Sequence, residues 1–280
     1  IISIVFGIIA LYAQNKVAAI HWEFFTPETR IIFAHYGLTM YLFKLLIPIK
    51  LSAFYPYPAF ENILTQYGIF CIVTPLIIYA LYYFRKNKIV IFSIIFFLSN
   101  IVLVLQLIMV GGAVMADRYV YMPCIGYFII LGLIIDNLLK KNSFRFIIYP
   151  LSAVYVIFLS FLTFNQTKVW NNSESLWNSV IKNYPRAHVA WYNLGIGLEK
   201  KNETALAEQY YTNAINASSN YYEAYYNRGL IRGKNGRFEE AIEDFNSALR
   251  IVPNYIPAYT NRAIANCFLK RFDKAIEDFN

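Results

Sequence analysis

The chain has 280 residues, 58% of them apolar, 18% aromatic and only 15% charged, with a formal net charge of +8. Soluble domains are typically about 45–50% apolar and about 25% charged, so this composition argues against a wholly soluble protein. Residues 1–170 hold 12 Lys/Arg against 5 Asp/Glu, and residues 171–280 hold 13 against 12. The excess charge therefore sits in the apolar half, and no basic stripe on a soluble face is left to bind nucleic acid.

In chain order, residues 1–11 read as the end of an apolar helix without the basic leader of a signal peptide. The chain also stops at Asn280 inside a repeat, and the expectation is an internal piece of a longer protein. Glu23 and Glu28 are expected in an outward loop, where either would be a general base with no acid paired to it. Residues 31–49 are interrupted by His35 and Lys44 and closed by Pro48. They read as an interfacial or re-entrant helix in preference to a span. Arg30 and Lys44 share a helical face, where they can meet a lipid phosphate or snorkel to water.

Crossing the hydrocarbon core takes about 20 mostly apolar residues in a helix. Residues 62–84, 89–116, 119–139 and 146–167 qualify. With the partial helix at the start, the expectation is a transmembrane domain over residues 1–168 with about five spans. Basic residues crowd two short loops, Arg85, Lys86 and Lys88 in one and Lys140, Lys141 and Arg145 in the other. By the Lys/Arg bias of cytoplasmic loops both lie inside. The segment 111–118 and everything after Thr167 then face outward. In that segment, GGAVMADRYVYMP (residues 111–123) holds Asp117 and Arg118 beside a predicted span, where ionisable groups are functional by default. Arg118 would grip a lipid phosphate through its forked guanidinium, with Asp117 orienting it. The alternative is an interfacial ion pair that only ends the helix.

From residue 169 onward a 34-residue shift superposes Trp191, Tyr225 and Tyr259, then Gly195, Gly229 and Ala263. It also superposes Ala207, Ala241 and Ala275, then Tyr211, Phe245 and Phe279. This is the period and grammar of tetratricopeptide repeats (TPR). The expected array is a half repeat at 173–187 and repeats at 188–221, 222–255 and 256–280, the last incomplete. Its groove would be lined by Tyr192, Asn193, Tyr226, Asn227 and Asn261, which recur at equivalent positions. The asparagines would either hold an extended peptide backbone or bond to a neighbouring helix carbonyl.

Motifs for metalloprotease, nucleotide-binding or serine-hydrolase chemistry are missing. His21, His35 and His188 are not spaced as metal ligands, and Cys71, Cys124 and Cys267 form no pair. No metal and no cofactor are expected. A transporter would need ionisable groups at mid-span, and none lies there.

The segments KLLIPIKLSAFYPYP, VGGAVMADRYVYMPCIG and SLWNSVIKNYPRAHVAWYNLG, in this order, resemble bacterial membrane proteins with C-terminal TPRs. Those in turn resemble the transmembrane-and-TPR O-mannosyltransferases (TMTC). The resemblance covers essentially the whole chain. It implies an all-α architecture: a polytopic transmembrane bundle, the C-terminal part of a GT-C-like fold, followed by a TPR α-solenoid. It further implies transfer of a sugar from a polyprenyl-phosphate donor to protein Ser or Thr, in a bacterial inner membrane with the TPRs periplasmic. The family's catalytic carboxylate is expected upstream of Ile1. Of the residues present only Asp117 and Arg118 match its motif, and Arg30 and Lys44 are further candidates for donor-phosphate binding. The alternative is a non-enzymatic, membrane-anchored TPR scaffold.

Overall fold

The computed structural model describes residues 26–57, 63–105, 107, 113–140 and 142–280. The expectations placed on residues 1–11, Glu23, the Gly111–Gly112 pair and Lys141 lie outside them. The chain divides into two compact units, Ile1–Thr167 and Lys168–Asn280.

The first described helix, α1 (Pro27–Leu46), starts where Thr26 caps it and Pro27 supplies a preset φ at its first turn. Phe33, Ala34, Gly37, Leu38, Tyr41 and Lys44 are buried on one face, three or four residues apart. The chain then forms strand β1 (Tyr55–Pro56), helix α2 (Ile63–Tyr67), a 3-10 turn (Gly68–Ile72) and helix α3 (Val73–Tyr83). Asn87 caps α4 (Lys88–Ile101) by accepting from the Ile89 and Val90 amides. Strand β2 (Ala113–Met115), a 3-10 turn (Asp117–Val120), α5 (Pro123–Leu139) and α6 (Asn142–Val169) complete the unit.

Two expected spans are therefore not continuous helices. The 62–84 run is broken by the 3-10 turn at Gly68–Ile72. Among the described residues, the 89–116 run is helical to Val104 and becomes a strand at β2, which pairs antiparallel with β1 through Tyr55 and Met115. An apolar run cannot by itself distinguish strand from helix. Here the Tyr41 hydroxyl decides it, donating to the Ala116 carbonyl (3.3 Å) and accepting from the Ala116 amide (3.1 Å). Among the described residues, α6 is the one helix long and apolar enough to cross a membrane. At 1.5 Å per residue, the 14 residues of α4 and 17 of α5 reach about 21 and 26 Å. A hydrocarbon core is about 30 Å thick.

Helices α4 and α5 meet at Gly126. A Cβ added there would lie 2.4 Å from the Ser93 carbonyl oxygen and 3.2 Å from the Phe97 amide nitrogen. Only glycine permits that backbone approach. Ser93 is fully buried and satisfies its hydroxyl on the Ile89 carbonyl one turn back.

The second unit is all helix and follows the 34-residue period. After α7 (Ser173–Asn183), which opens in a capping box between Asn172 and Ser175, come three hairpins. They are α8 (His188–Lys200) with α9 (Thr204–Ala217), α10 (Tyr222–Lys234) with α11 (Phe238–Ile251), and α12 (Ile256–Phe268) with α13 (Phe272–Phe279). Gly195 and Gly229 let Tyr211 and Phe245 close over the first helix of each hairpin. An added Cβ would be 2.7 Å and 2.8 Å from those rings. Ala263 stands at the third such position, where Phe279 is 58% exposed and leaves room for a methyl. Asn202, Gly236 and Lys270 take left-handed φ of 61°, 76° and 59° where each first helix ends.

Candidate functional site

In the first unit the segments 51–57 and 113–123, distant in sequence, come together. The Tyr55 hydroxyl donates to Asp117 Oδ1 at 2.7 Å and accepts the Ser52 amide at 3.0 Å, while the Asp117 amide reaches the Ser52 carbonyl at 3.4 Å. Asp117 Oδ2 is buried and has no hydrogen-bond partner among the described residues. Burial pushes the Asp117 carboxyl up to about 6, against the opposing effects of the Tyr55 hydrogen bond, the Lys44 charge and the Ser52 backbone. A carboxyl so placed changes charge near neutrality.

Lys44 belongs to this cluster and not to the solvent. Its Nζ donates to the carbonyls of Ile49 (3.0 Å) and Lys50 (3.2 Å), tying off the end of α1, and lies 5.0 Å from the Tyr55 ring centroid. Snorkelling is thereby ruled out for a side chain that is buried. Arg30 is near the start of the same helix. The 14-residue separation amounts to about 21 Å along the axis, so Arg30 and Lys44 share a face without sharing a phosphate. Glu28, expected in a loop, occupies the first turn of α1, where a carboxylate complements the helix dipole.

Asp117 does not orient Arg118. The carboxylate turns inward to Tyr55, and the exposed Arg118 guanidinium lies over the Tyr119 ring at 5.0 Å and donates to its hydroxyl at 3.2 Å. The sequence reading missed Tyr55, Ser52 and Tyr41, the groups that hold the Asp117 segment. The tyrosine-rich YPYP run signals Tyr55 alone; Ser52 and Tyr41 carry no such mark.

In the second unit four of the five groove candidates are linked in pairs across repeats. Asn227 Nδ2 donates to the Tyr192 hydroxyl at 3.2 Å, and Asn261 Nδ2 to the Tyr226 hydroxyl at 3.1 Å. Asn193 and Asn261 also bond to the carbonyls of Val189 and Pro257, four residues back in their own helices. The local carbonyl bond is thus present at Asn193 and Asn261, and the bonds of Asn227 and Asn261 to tyrosines join one repeat to the next.

A second series escaped the sequence reading although it keeps the same period. Arg228 holds Asp244 with two bonds (2.7 and 3.0 Å) and reaches Thr212 of the preceding hairpin at 3.0 Å. Thirty-four residues on, Arg262 holds Asp278 in the same way and reaches Asn246. Beside them Glu208 accepts from Arg232 and Arg237. Burial raises the Glu208 carboxyl, but those two arginines outweigh it and hold the group below its usual range. Among the described residues, no three His, Cys, Asp or Glu side chains gather as a metal site.

A tetratricopeptide repeat family model matches residues 222–255, which are the hairpin α10–α11 and its flanks. Over 112 residues the chain is 32% identical to human protein O-mannosyl-transferase TMTC2, and 31% identical to the mouse protein of the same name. Each alignment takes in 39% of this chain and 13% of the relative. The chain thus spans a small fraction of the curated relatives that it matches. Among solved structures, the crystal structure of MamA is similar at 27% identity with a TM-score of 0.34, covering 38% of this chain and 66% of that one. The second TPR of Spaghetti (RPAP3), bound to the HSP90 peptide SRMEEVD, is similar at 26% identity with a TM-score of 0.33, covering 34% and 89%.

Proposed function

We propose that the chain is part of a membrane-embedded glycosyltransferase of the GT-C type, whose first unit holds a polyprenyl-phosphate sugar and whose repeats bind the acceptor protein. The observation that carries this reading is the junction of Tyr55 and Asp117. It brings the two quoted membrane segments into one site, with a carboxyl that ionises near neutral pH and an exposed guanidinium next to it. Arg118 supplies the phosphate contact, Tyr119 holds the guanidinium in place, and Tyr55 and Lys44 position Asp117. The catalytic carboxylate of the transfer is not assigned to any of these residues.

Support for the membrane setting comes from α6 and from the bare apolar exterior of the first unit, including Leu76 and Tyr82 on α3 and Phe146 and Ile157 on α6. In this reading the two basic loops face the cytoplasm, by the usual Lys/Arg bias, and the repeats lie on the extracytoplasmic side of a bacterial inner membrane. For the repeats, the reading is protein or peptide binding. The similarity to TMTC2 supports sugar transfer to protein; the sugar, carrier and acceptor are part of the proposal.

The test is transfer from a polyprenyl-phosphate mannose to a Ser/Thr-containing acceptor by the full-length protein in liposomes. Arg118→Ala is expected to lose transfer while the far-UV spectrum and thermal unfolding stay unchanged. Unaltered turnover in that variant would refute the donor-site role. No transfer by the wild-type protein, together with retained peptide binding, would make the chain a membrane-anchored scaffold. Orientation is checked separately with single cysteines at Asn87 and Asn202. A membrane-impermeant maleimide is expected to label only Asn202→Cys in intact cells.

A further inference from the structure

The hairpins repeat every 34 residues, so the slots between successive first helices have equivalent positions. In the slot between α8 and α10, Ile231 is buried in one cluster with Ala207 and Tyr211, and Ile196 and Leu198 pack against that cluster. Glu199 completes the slot, accepting from the Tyr211 hydroxyl at 3.1 Å and from Lys234 at 3.3 Å.

One period on, between α10 and α12, each of these groups is cut back. Ala265 stands in place of Ile231, Gly233 in place of Glu199, and Phe245, which has no hydroxyl, in place of Tyr211. What remains is a cleft of about 500 Å³, with Gly233, Phe245 and Ala265 on its lining. That volume lies in the range of ligand pockets, about 300–1,000 Å³. Two further lining residues, Phe238 and Phe268, stand where the first slot has Thr204 and Lys234. Their rings stack with 4.6 Å between centroids, yet Phe268 stays 65% exposed, and Ile264 beside the cleft 43%.

The first slot shows what fits such a space. One branched aliphatic side chain, Ile231, closes it from within; the second slot lacks that side chain but keeps Leu230 and Phe245, the counterparts of Ile196 and Tyr211. An apolar side chain entering from outside would leave water together with the surfaces of Phe268 and Ile264. The charge on the lining, Lys234, is already paired with Glu199, so the cleft offers no open charge to a carboxylate. Asn261, also on the lining, donates through Nδ2 to the Tyr226 hydroxyl and the Pro257 carbonyl. Its Oδ1 accepts no hydrogen bond among the described residues and is open to a backbone amide.

We infer that the cleft between α10 and α12 is the anchor pocket of the array. It takes one isoleucine or leucine side chain from an extended segment of a partner protein, with Asn261 receiving an amide of that segment. This rests on the reading of the repeats as a protein-binding array and deepens it, by naming the residue that the array selects.

The experiment uses the full chain in detergent and a nonapeptide of alternating Ser and Gly with photo-leucine, a diazirine analogue of leucine, at its centre. After irradiation and proteolysis, mass spectrometry is expected to find the crosslinks on α10 and α12 beside the cleft. A competing peptide with Ile at the centre should suppress them at about one tenth of the concentration needed with Ala. Ala265→Ile rebuilds the plug of the first slot and should cut capture about tenfold, with an unchanged or higher melting temperature. Should that variant fail to fold, Phe268→Lys, at an exposed position, restores the first slot's residue and should cut capture as well. Equal suppression by the Ile and Ala peptides, or full capture by folded Ala265→Ile, would overturn the inference. So would a photoreactive fatty acid that labels the cleft in preference to the peptide, or a dimer that Phe268→Lys dissociates, since an acyl chain or a second copy would then be the occupant. Crosslinks confined to the neighbourhood of Asn193 and Asn227 would leave the peptide groove standing and remove the anchor pocket. Capture of no peptide anywhere on the array would remove both.

Discussion

Replacing Gly126 by alanine tests whether the α4–α5 contact is set by backbone approach. The new methyl would stand 2.4 Å from the Ser93 carbonyl oxygen, nearly 1 Å inside ordinary contact. That oxygen belongs to a helix backbone and cannot swing aside as a side chain could, so the two helices must separate. Overpacking of this kind costs about 1–3 kcal/mol. Exchanging glycine for alanine inside a helix returns about 1 kcal/mol. Gly132→Ala is the matched control, because the same helix has nothing within 4 Å of a Cβ at that position. Propensity cancels between the two variants, and the difference of about 1–3 kcal/mol isolates the clash. The assay is SDS-induced unfolding of the detergent-purified chain, followed by circular dichroism. Gly126→Ala is expected to unfold at lower SDS than wild type and Gly132→Ala at the same or higher. Equal midpoints for the two variants would refute the close packing of α4 on α5.

In the repeats, Asp244→Ala strips the shared counter-charge from Arg228 and Arg232, whose side chains are 13% and 17% exposed. Breaking a buried pair in this way costs about 3–5 kcal/mol. Asp273→Ala, at an exposed position, should stay within about 0.5 kcal/mol of wild type, both read by urea unfolding. Lys270→Gly relieves a left-handed φ of 59° at a helix end and is expected to stabilise by up to about 1 kcal/mol, measured as a higher melting temperature. Asp117 gives a pH dependence with a definite sign. Its carboxyl is raised from 3.8 to about 6 by burial, so between those values the folded state binds a proton that the unfolded state releases. Stability should therefore fall as pH rises from about 4 to about 6 and level off above that. Asp117→Asn should flatten this part of the profile, and an unchanged slope would contradict the burial of the group.

The repeat architecture was legible because TPR helices contact mainly their sequence neighbours. Small residues at Gly195 and Gly229, and large ones at Tyr211 and Phe245, recur at a fixed interval that exposes the packing rule. The arginine–aspartate pairs obey the same interval but occur only at Arg228–Asp244 and Arg262–Asp278, two copies among stronger aromatic signals. The Tyr55–Asp117 junction could not be read in advance. It joins residues 62 apart through a two-residue ladder, and neither periodicity nor composition marks such a pairing. The run after residue 89 reads as one helix for a related reason. Hydrophobicity reports what leaves water, not which hydrogen bonds the backbone makes once it has left. Lys44 shows the same limit at a single side chain: sequence places it on a helical face, but the carbonyls of Ile49 and Lys50 decide where its ammonium goes.

Each of the guanidinium groups of Arg228 and Arg262 grips two successive hairpins at once, its own Asp and a polar side chain on the hairpin before it. Such a rivet fixes the angle between neighbours as well as the distance. Curvature built from fixed angles is present before anything binds. A surface held at preset angles spends little binding energy on its own rearrangement. The arginines would thus act as the gauge that sets the spacing of successive hairpins.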